Sequence, residues 1–354
     1  MSVFKDKVVV ITGGTGSLGR VLTRQLVSVT SHQPRKIIVF SRDEAKQHYM
    51  RIQYQEFRNV TDEIIYNNFR RLLEFRIGDI RNYHSVCSVL AEADIVINAA
   101  ALKQVPSCEY FPFEAVETNI IGAENIVRAI LENKLPVQTV VGVSTDKACK
   151  PINVMGMTKA IQERIFLRAN IAIPATRFIC VRYGNVLASR GSVIPLFHEQ
   201  IRKGGPVTIT TKEMTRFLLP LERAVETIIA ALSSALPGET YIPHVPSARI
   251  LDVARVLIGN RRIDTAITGI RPGEKLHESL VAEEEAWRTH KRGDYYVIRS
   301  MLPELAEGEA GTLPLNREYS SNDSLMSVEE IEDLLRGHNL LVGSAEAGKG
   351  GSLE

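Results

Sequence analysis

The sequence has few cysteines, and their placement suits neither disulfide nor metal chemistry. Cys87, Cys108, Cys149 and Cys180 are widely spaced and form no Cys-x-x-Cys pair. Disulfide frameworks belong to small secreted domains, so this pattern predicts free thiols in a reducing compartment, the cytoplasm. The eight histidines show no metal-ligand spacing either, and we therefore expect no metal site.

Long apolar runs and an excess of charge of one sign are also missing. No apolar run reaches the roughly 18 residues of a membrane span, and the N-terminus shows no signal-peptide core. The net charge is only +2 over 354 residues, which gives no reason to expect nucleic acid or a membrane as a partner. With 44% hydrophobic residues, the chain can bury one large core or two modest ones, as a soluble globular protein does.

What the chain does contain is a regular alternation of buried strands and helices. Strand patterns occupy residues 7–12, 36–40, 93–101, 137–143 and 178–183, with the end of a further strand at 76–81. Helical patterns lie between them, including a long one at 114–134 and another from about 155 to 170. β-branched runs separated by helices are typical of parallel sheets covered on both faces. We therefore predict an α/β protein built on one doubly wound parallel sheet, the Rossmann architecture.

A glycine-rich turn joins the first strand to the first helix. Gly13, Gly16 and Gly19 have the spacing GxxGxxG. Glycine lets the turn close tightly and lets backbone N–H groups approach a pyrophosphate beside the helix N-terminus. The flanking strand and helix favour a dinucleotide site over a generic glycine-rich turn. The predicted contacts are Thr12, Gly13, Thr15, Gly16, Ser17, Leu18 and Gly19.

The end of the second strand carries the residues that select the cofactor. Ser41 is followed by Arg42, with Lys46 one helical turn later, where a cofactor lacking a 2′-phosphate would meet an acidic residue. Because two cations favour a phosphate, we predict NADP over NAD, although Asp43 lies beside them and Arg42 has an alternative interpretation as a surface residue. Further cofactor contacts are predicted at later strand ends: Asp79, Ile80, Ala99, Ala100, Ala101 and Lys103.

The stretch from Ser144 to Lys159 gathers the side chains with the strongest chemical character. Thr145, Asp146 and Lys147 follow an apolar strand, and Met155 and Lys159 are four residues apart on the first turn of the next helix. Ligands of open α/β sheets bind at the carboxyl ends of strands. We therefore expect a hydroxyl, a carboxylate and two amines to converge there, with a solvated polar loop as the alternative.

The chain changes character after residue 186, where elements become shorter and basic residues recur. We predict a dinucleotide-binding domain over 1–186, to which some later segments return, and a smaller C-terminal α/β lobe over 187–340 that closes over an anionic substrate. Residues 341–354 are predicted to form a disordered tail. For any single arginine, a solvated surface charge is the ordinary alternative. The candidate substrate contacts are Lys103, Asn185, Arg190, Ser192, Val193, Arg216, Arg249, Arg271 and Glu274.

Seven ordered motifs resemble the extended short-chain dehydrogenase/reductase superfamily. They lie at residues 12–19, 99–109, 144–147, 182–186, 189–193, 214–217 and 271–275, and the resemblance extends over about residues 3–335. Within the superfamily, the chain resembles in particular the nucleotide-sugar 4,6-dehydratases that act on UDP-N-acetylglucosamine in bacterial surface-glycan synthesis. This resemblance implies a UDP-sugar substrate, a catalytic nicotinamide cofactor and a homo-oligomer.

One position departs from the superfamily pattern. A Tyr-x-x-x-Lys motif usually supplies a phenol to O4 of the sugar, but the tyrosine position here is Met155, which has no titratable proton. A subset of these dehydratases is similar in this respect, so the substitution need not mean inactivity. We hypothesise that Asp146, directly or through water, replaces the phenol as the O4 base.

The resemblance also implies the reaction: oxidation at C4, loss of water across C5–C6, and reduction at C6. In this cycle Asp146 protonates the departing hydroxyl, and Lys147, with a depressed pKa, takes the C5 proton. Lys159 holds the nicotinamide ribose and Thr145 donates to O4. The sequence leaves open UDP or GDP, and inversion or retention at C5. Two other functions compete: a nucleotide-sugar 4-epimerase, which needs the tyrosine, and an NADP-binding sensor, which does not need this acid–base pair.

Overall fold

The elements of the fold are given by a computed structural model, which describes residues 2–28, 31–56, 63–187, 192–305 and 314–343. The α-helices are α1 Ser17–Val27, α2 Glu44–Glu56, α3 Glu63–Leu72, α4 Tyr83–Leu90, α5 Val105–Tyr110, α6 Pro112–Ala115, α7 Gly122–Asn133, α8 Val154–Ala172, α9 Val193–Arg202, α10 Leu221–Ser234, α11 Ile250–Ile258, α12 Glu283–Ala286 and α13 Val328–Gly337. The strands are β1 Val8–Thr12, β2 Lys36–Ser41, β3 Leu73–Ile77, β4 Ile95–Asn98, β5 Thr139–Thr145, β6 Arg177–Tyr183, β7 Asn185–Val186, β8 Val207–Ile209, β9 Thr215–Leu219, β10 Thr240–Pro243, β11 Ser247–Arg249, β12 Thr265–Ile267, β13 Ser279–Val281, β14 Thr289–Arg292, β15 Tyr295–Ile298 and β16 Tyr319–Ser320.

A nine-stranded sheet forms the centre of the molecule, in the order β14-β15-β10-β6-β5-β4-β1-β2-β3. All pairings from β3 to β10 are parallel, whereas β15 runs antiparallel to both β10 and β14. The order β3-β2-β1-β4-β5-β6 is that of a doubly wound Rossmann sheet. The predicted α/β fold is therefore confirmed, and β10, β14 and β15 extend the same sheet.

The sheet separates two layers of apolar side chains because alternate residues of each strand point to opposite faces. Val9 and Ile11 of β1 belong to one core cluster with side chains of α1, α3 and α10, while Val8 and Val10 belong to the other with side chains of α4, α7 and α8. All four are fully buried. This burial on both faces explains the continuous apolar run in the sequence.

The later part of the chain adds a third core cluster and three small sheets. The sheets are β11-β9-β7, β12-β8 and β13-β16, and the cluster includes side chains of α9, α11 and α13. Leu341 and Val342, which fall within the tail predicted to be disordered, pack against this cluster. The rest of that prediction, residues 344–354, lies outside the described residues. Across the described ranges, no helix is both long and apolar enough to cross a bilayer.

The long helix predicted at 114–134 is interrupted. Residues Val116–Ile121 form a π-helical segment between α6 and α7. Its Asn119 side chain hydrogen-bonds the backbone N–H and C=O of Leu102 (2.9 and 3.0 Å) and the Thr158 hydroxyl (3.0 Å). These tertiary bonds hold the backbone in the wider turn, which is a feature often found beside functional sites.

Candidate active site

The glycine-rich turn packs directly onto the neighbouring strand end. Gly13 has φ +63°, and a Cβ there would lie 2.8 Å from the Cα of Ala100. Thr12 fixes the same junction, because its hydroxyl donates to Asn98 Oδ1 at 2.7 Å. A side chain at position 13 would be both strained and obstructed, so glycine is required.

A cleft opens at this junction, on the carboxyl side of the sheet. It is lined by Gly13, Phe40, Ser41, Arg42, Gly78, Asp79, Ile80, Ala100, Ala101, Leu102 and Thr118. The structure thus brings together seven predicted cofactor contacts, from Gly13 to Ala101. Thr118 was not predicted, yet its buried hydroxyl has no hydrogen-bond partner within the described residues.

The arrangement fits a dinucleotide. The bare backbone at Gly13 permits close approach, the N-terminus of α1 begins at Ser17, and Thr118 offers an unused hydroxyl. Thr15 and Ser41 hydrogen-bond each other (2.9 Å) and join the turn to β2. Across the described ranges, no group of three His, Cys, Asp or Glu side chains is arranged for a metal ion.

The two predicted phosphate-selecting cations both have acidic neighbours. Arg42 is 56% exposed with Nη1 3.8 Å from Asp79 Oδ2, and Lys46 forms an ion pair with Asp43. Burial would raise the pKa of Asp79, but hydrogen bonds from Arg81 and the charge of Arg42 outweigh it and lower that pKa. Of the two cations, Arg42 is therefore the more exposed and the less closely paired, and so the more available to bind a phosphate.

Thr145 and Asp146 stand together where β5 ends. The Thr145 hydroxyl donates to Asp146 Oδ1 at 2.9 Å, and Lys147 Nζ donates to the same oxygen at 3.0 Å. The second oxygen, Oδ2, is buried and has no hydrogen-bond partner within the described residues. A completely buried carboxylate with one unused oxygen is costly unless a ligand completes it.

Lys147 differs from its prediction. Burial alone would lower the pKa of its amine, but Asp146 and Glu278 raise it above the ordinary value. The Glu278 Oε1 lies 3.4 Å from Lys147 Nζ, a contact that sequence reasoning missed. The depressed pKa predicted for Lys147 is therefore wrong. Two carboxylates, Asp146 and Glu278, face the amine, and their charges outweigh the effect of burial.

Lys159 and Met155 lie on one face of α8, as predicted, and both are 5% exposed. Lys159 Nζ donates to the Val143 carbonyl at 2.5 Å and to Gln162 Oε1 at 2.7 Å. Burial lowers the pKa of Lys159 to about 8, so of Lys147 and Lys159 it is Lys159 that has the depressed pKa. Met155 packs with Cys108 and Ala115.

Six of the nine predicted substrate contacts fall into three groups. Asn185 and Ser192 have buried side-chain oxygens without a partner in the described parts of the chain. Arg216 is buried, and its guanidinium donates to backbone carbonyls of Thr215, Lys275 and Leu276 (2.7–3.2 Å), so it holds the lobe together. Arg249, Arg271 and Lys103 are exposed.

The other three predicted substrate contacts are Glu274, Val193 and Arg190. Glu274 accepts from the Thr210 hydroxyl at 3.5 Å, and Val193 begins α9. Arg190 lies outside the described residues. The substrate roles of all these residues stay predictions.

The segment from Arg271 to Glu278 connects the lobe to the loop between β5 and α8. Asn153 Nδ2 donates to the Gly273 carbonyl at 2.8 Å, while its Oδ1 caps α8 at the Gly156 N–H. Lys275 Nζ donates to the Cys149 carbonyl at 2.6 Å. The predicted "phosphate" turn thus also positions the loop that carries Asp146.

Comparisons with known proteins agree with this geometry. The family model described as "Polysaccharide biosynthesis protein" matches residues 9–300. A Rickettsia conorii protein named UDP-glucose 4-epimerase is 41% identical over 343 residues, covering 94% of this chain and 96% of that protein. The X-ray structure of Pen from Bacillus thuringiensis superposes with a TM-score of 0.84 at 36% identity, covering 96% of this chain and 99% of that one.

A more distant structure shares the fold. DesIV, a dTDP-glucose 4,6-dehydratase from Streptomyces venezuelae with NAD and TYD bound, gives a TM-score of 0.62 at 20% identity over 76% of this chain and 86% of that one. The family match covers most of the chain, and the Rickettsia relative covers nearly all of it. The chain therefore belongs to the polysaccharide biosynthesis protein family.

Proposed function

We propose that this protein is a nucleotide-sugar 4,6-dehydratase that converts UDP-N-acetylglucosamine, or a related UDP-N-acetylhexosamine, to the 4-keto-6-deoxy sugar for surface-glycan synthesis. The observation that carries the proposal is the buried Asp146, with Thr145 and Lys147 hydrogen-bonded to one oxygen and no hydrogen-bond partner for the other in the parts of the chain that the structure describes. A carboxyl group in that state can accept a proton from a sugar hydroxyl and later return it to another. We place the enzyme in the cytoplasm as a homo-oligomer.

A nicotinamide cofactor suits the cleft between Gly13, Ala100 and Thr118. A bound nicotinamide would supply the hydride acceptor for oxidation at C4 and the hydride donor for reduction at C6. DesIV, which shares the fold, was solved with NAD. We propose NADP here because Arg42 is exposed and pairs with Asp79 at a distance of 3.8 Å, longer than a hydrogen bond.

Cofactor choice gives the first prediction. Replacing Arg42 by serine is expected to weaken NADP binding about tenfold and to leave NAD binding nearly unchanged, because only NADP presents a 2′-phosphate to the guanidinium. Dissociation constants from fluorescence titration would measure both. Arg255→Ser, which removes an exposed arginine paired with Asp252 on α11, is the control. An equal loss for both cofactors would contradict the NADP assignment.

In the proposed reaction, Asp146 and Lys147 transfer protons and Thr145 orients Asp146. Asp146 takes the O4 proton as C4 is oxidised, with Thr145 orienting the carboxylate through Oδ1. The resulting ketone makes the C5 proton acidic, and Lys147 is placed to remove it. Asp146, now protonated, gives its proton to the departing C6 hydroxyl, so that water leaves. Met155 shapes the apolar side of the pocket and transfers no proton.

A UDP-sugar 4-epimerase is the second candidate, favoured by the name of the Rickettsia relative at 41% identity. Met155 speaks against it, because an epimerase of this superfamily is expected to use a phenol at that position. An acid and a base for elimination would also be unnecessary for epimerisation. A GDP-linked sugar substrate and an NADP-binding sensor are the remaining alternatives.

One assay separates these functions. Purified protein is incubated with UDP-N-acetylglucosamine and then treated with strong alkali, which gives 4-keto sugars an absorbance that epimers and unreacted substrate lack. Proton NMR of the product reports C5 stereochemistry and loss of the C6 hydroxyl. The GDP-linked sugar serves as the matched substrate control. A C4 epimer without the alkali absorbance would favour the epimerase, and unchanged substrates would favour the sensor.

A further inference from the structure

Glu278 is a buried carboxyl group that the mechanism above does not use. Its side chain is 3% exposed, with Oε1 3.4 Å from Lys147 Nζ. The other oxygen, Oε2, has no hydrogen-bond partner within the described residues, although Lys275 Nζ lies 3.8 Å away. The backbone is fixed, since Glu278 N–H donates to the Ser321 hydroxyl at 3.0 Å and its carbonyl accepts from Ser321 N–H at 2.8 Å.

This geometry is not that of a structural ion pair. A buried carboxylate that only stabilises a fold is expected to have both oxygens satisfied, because each unused oxygen loses its water without compensation. Among the described residues, Asp146 and Glu278 instead each have one oxygen without a hydrogen-bond partner, and both face the same amine. Two carboxyl groups and one amine in a closed space can hold the protons in more than one arrangement.

We propose that Glu278 is the proton acceptor that converts the Lys147 ammonium into the free amine required to take the C5 proton. This inference rests on the proposed dehydration. A proton moves from Lys147 Nζ to Glu278, breaking an N–H bond and forming an O–H bond. The amine lone pair then takes the C5 hydrogen as a proton, and the C5–H electron pair forms the C5–C6 double bond as hydroxide leaves with the Asp146 proton. Reprotonation of C5 by Lys147, followed by return of the Glu278 proton to the amine, closes the cycle.

The environment of Glu278 favours such a transfer. Burial raises the pKa of Glu278, and Asp146 adds to that effect, whereas the cations Lys147, Arg216 and Lys275 oppose it. A bound sugar would displace water from the site. Because a neutral acid–amine pair needs less solvation than an ion pair, exclusion of water favours the neutral form that the C5 step requires.

The test uses Glu278→Gln in the full-length protein with bound cofactor, in deuterated buffer. Single-turnover absorbance of reduced nicotinamide measures oxidation at C4, and NMR measures deuterium incorporation at C5. We expect C4 oxidation to stay within about threefold of the natural protein, while C5 exchange falls on the order of 100-fold and reduced cofactor accumulates. Glu318→Gln is the control. It removes an exposed ion pair to Lys150, which lies in the same loop as Lys147, and it should change neither rate.

Two outcomes would overturn the proposal: C5 exchange at the natural rate, or an equal fall in both rates, which indicates a structural role. If Glu278→Gln does not fold, Glu278→Asp supplies the test, because its shorter side chain must slow C5 exchange at least about tenfold more than C4 oxidation. The natural protein tests the proposed function separately. If it dehydrates the sugar and both Glu278 variants do so as well, only the role of Glu278 fails.

Discussion

Two clusters of buried charge lie at the ends of β5 and β6, and they are built in opposite ways. In the first, Arg182 donates to both oxygens of Glu163 (3.0 and 2.6 Å), both oxygens of Glu285 (2.7 and 3.1 Å) and the Leu280 carbonyl (2.9 Å). Ser144 adds a hydrogen bond to Glu163. In the second cluster, Asp146 and Glu278 face Lys147. Each has one carboxylate oxygen without a hydrogen-bond partner in the described ranges.

The difference teaches how to tell a structural cluster from a reactive one. Around Arg182 the carboxylates are fully satisfied, and although burial alone would raise the pKa of Glu285, Arg182 lowers it to about 2. That cluster links α8, β6, β13 and α12. Around Lys147 the unsatisfied oxygens are expected to gain partners only when substrate binds. The carboxylates are buried in both clusters, so satisfaction of their oxygens is the property that distinguishes them.

The largest effect should come from breaking the satisfied cluster. Arg182→Met is expected to lower the free energy of unfolding by about 3–5 kcal/mol, because it leaves two buried carboxylates without their cation. Urea denaturation would measure the loss. Arg336→Met, which removes the exposed ion pair to Glu332 on α13, should cost less than about 1 kcal/mol. A similar small cost for Arg182 would mean that its cluster does not stabilise the fold.

Breaking the unsatisfied cluster should affect activity more than stability. Asp146→Asn is expected to slow hydride transfer from C4, and with it the elimination of water, by about 10²–10³-fold, since an amide cannot accept the O4 proton. Single-turnover absorbance of the reduced cofactor measures the first step. Urea denaturation should show a much smaller loss than for Arg182→Met. A variant that still reduced the cofactor at the natural rate would show that another group is the O4 base.

These two clusters also mark what the sequence can and cannot predict. Asp146 and Lys147 are adjacent and follow a strand, so their place at the sheet edge follows from local pattern. Glu278 joins them from a distant segment, and its charge adds to that of Asp146 in raising the pKa of Lys147 above its ordinary value. The π-helical segment was missed for the same reason, because the bonds of Asn119 to Leu102 and Thr158 are tertiary.

Lys159 differs from both clusters. It is a buried cation whose hydrogen-bond acceptors, among the described residues, are all neutral. Burial lowers its pKa from 10.5 to about 8, against smaller opposing effects of Cys180 and Glu163. The unfolded chain therefore binds more protons between these pH values, and the free energy of unfolding should rise by about 3 kcal/mol from pH 8 to 10.5 through this group. Urea denaturation across that range would measure it.

The control for this pH dependence is Lys159→Met. Its lost hydrogen bonds shift stability by an amount that does not vary with pH, so the difference between the two proteins isolates the titration of the amine. Subtraction also removes the contribution of buried tyrosines such as Tyr54 and Tyr183, whose pKa values burial raises. Parallel stability curves for the two proteins would show that Lys159 titrates normally.

The smallest effect is expected at Met155, a buried apolar residue on the first turn of α8. Met155→Tyr places a larger, rigid side chain against Cys108 and Ala115, and we expect it to cost about 1–3 kcal/mol of stability while still permitting UDP-sugar binding. Calorimetry measures the binding. Met157→Tyr, on the same helix but 47% exposed, is the matched control and should cost little. A folded Met155→Tyr protein that no longer binds substrate would show that methionine is needed for fit.

The same substitution sharpens the assignment of Asp146. If Asp146 has taken over the O4 proton from the missing phenol, a tyrosine at position 155 should return part of the hydride transfer that Asp146→Asn removes. The double variant is then faster than Asp146→Asn alone, and the two substitutions are not additive. Single-turnover absorbance of the four proteins in the cycle measures this coupling. Additive effects would instead mean that the phenol and the carboxylate do not act on the same proton.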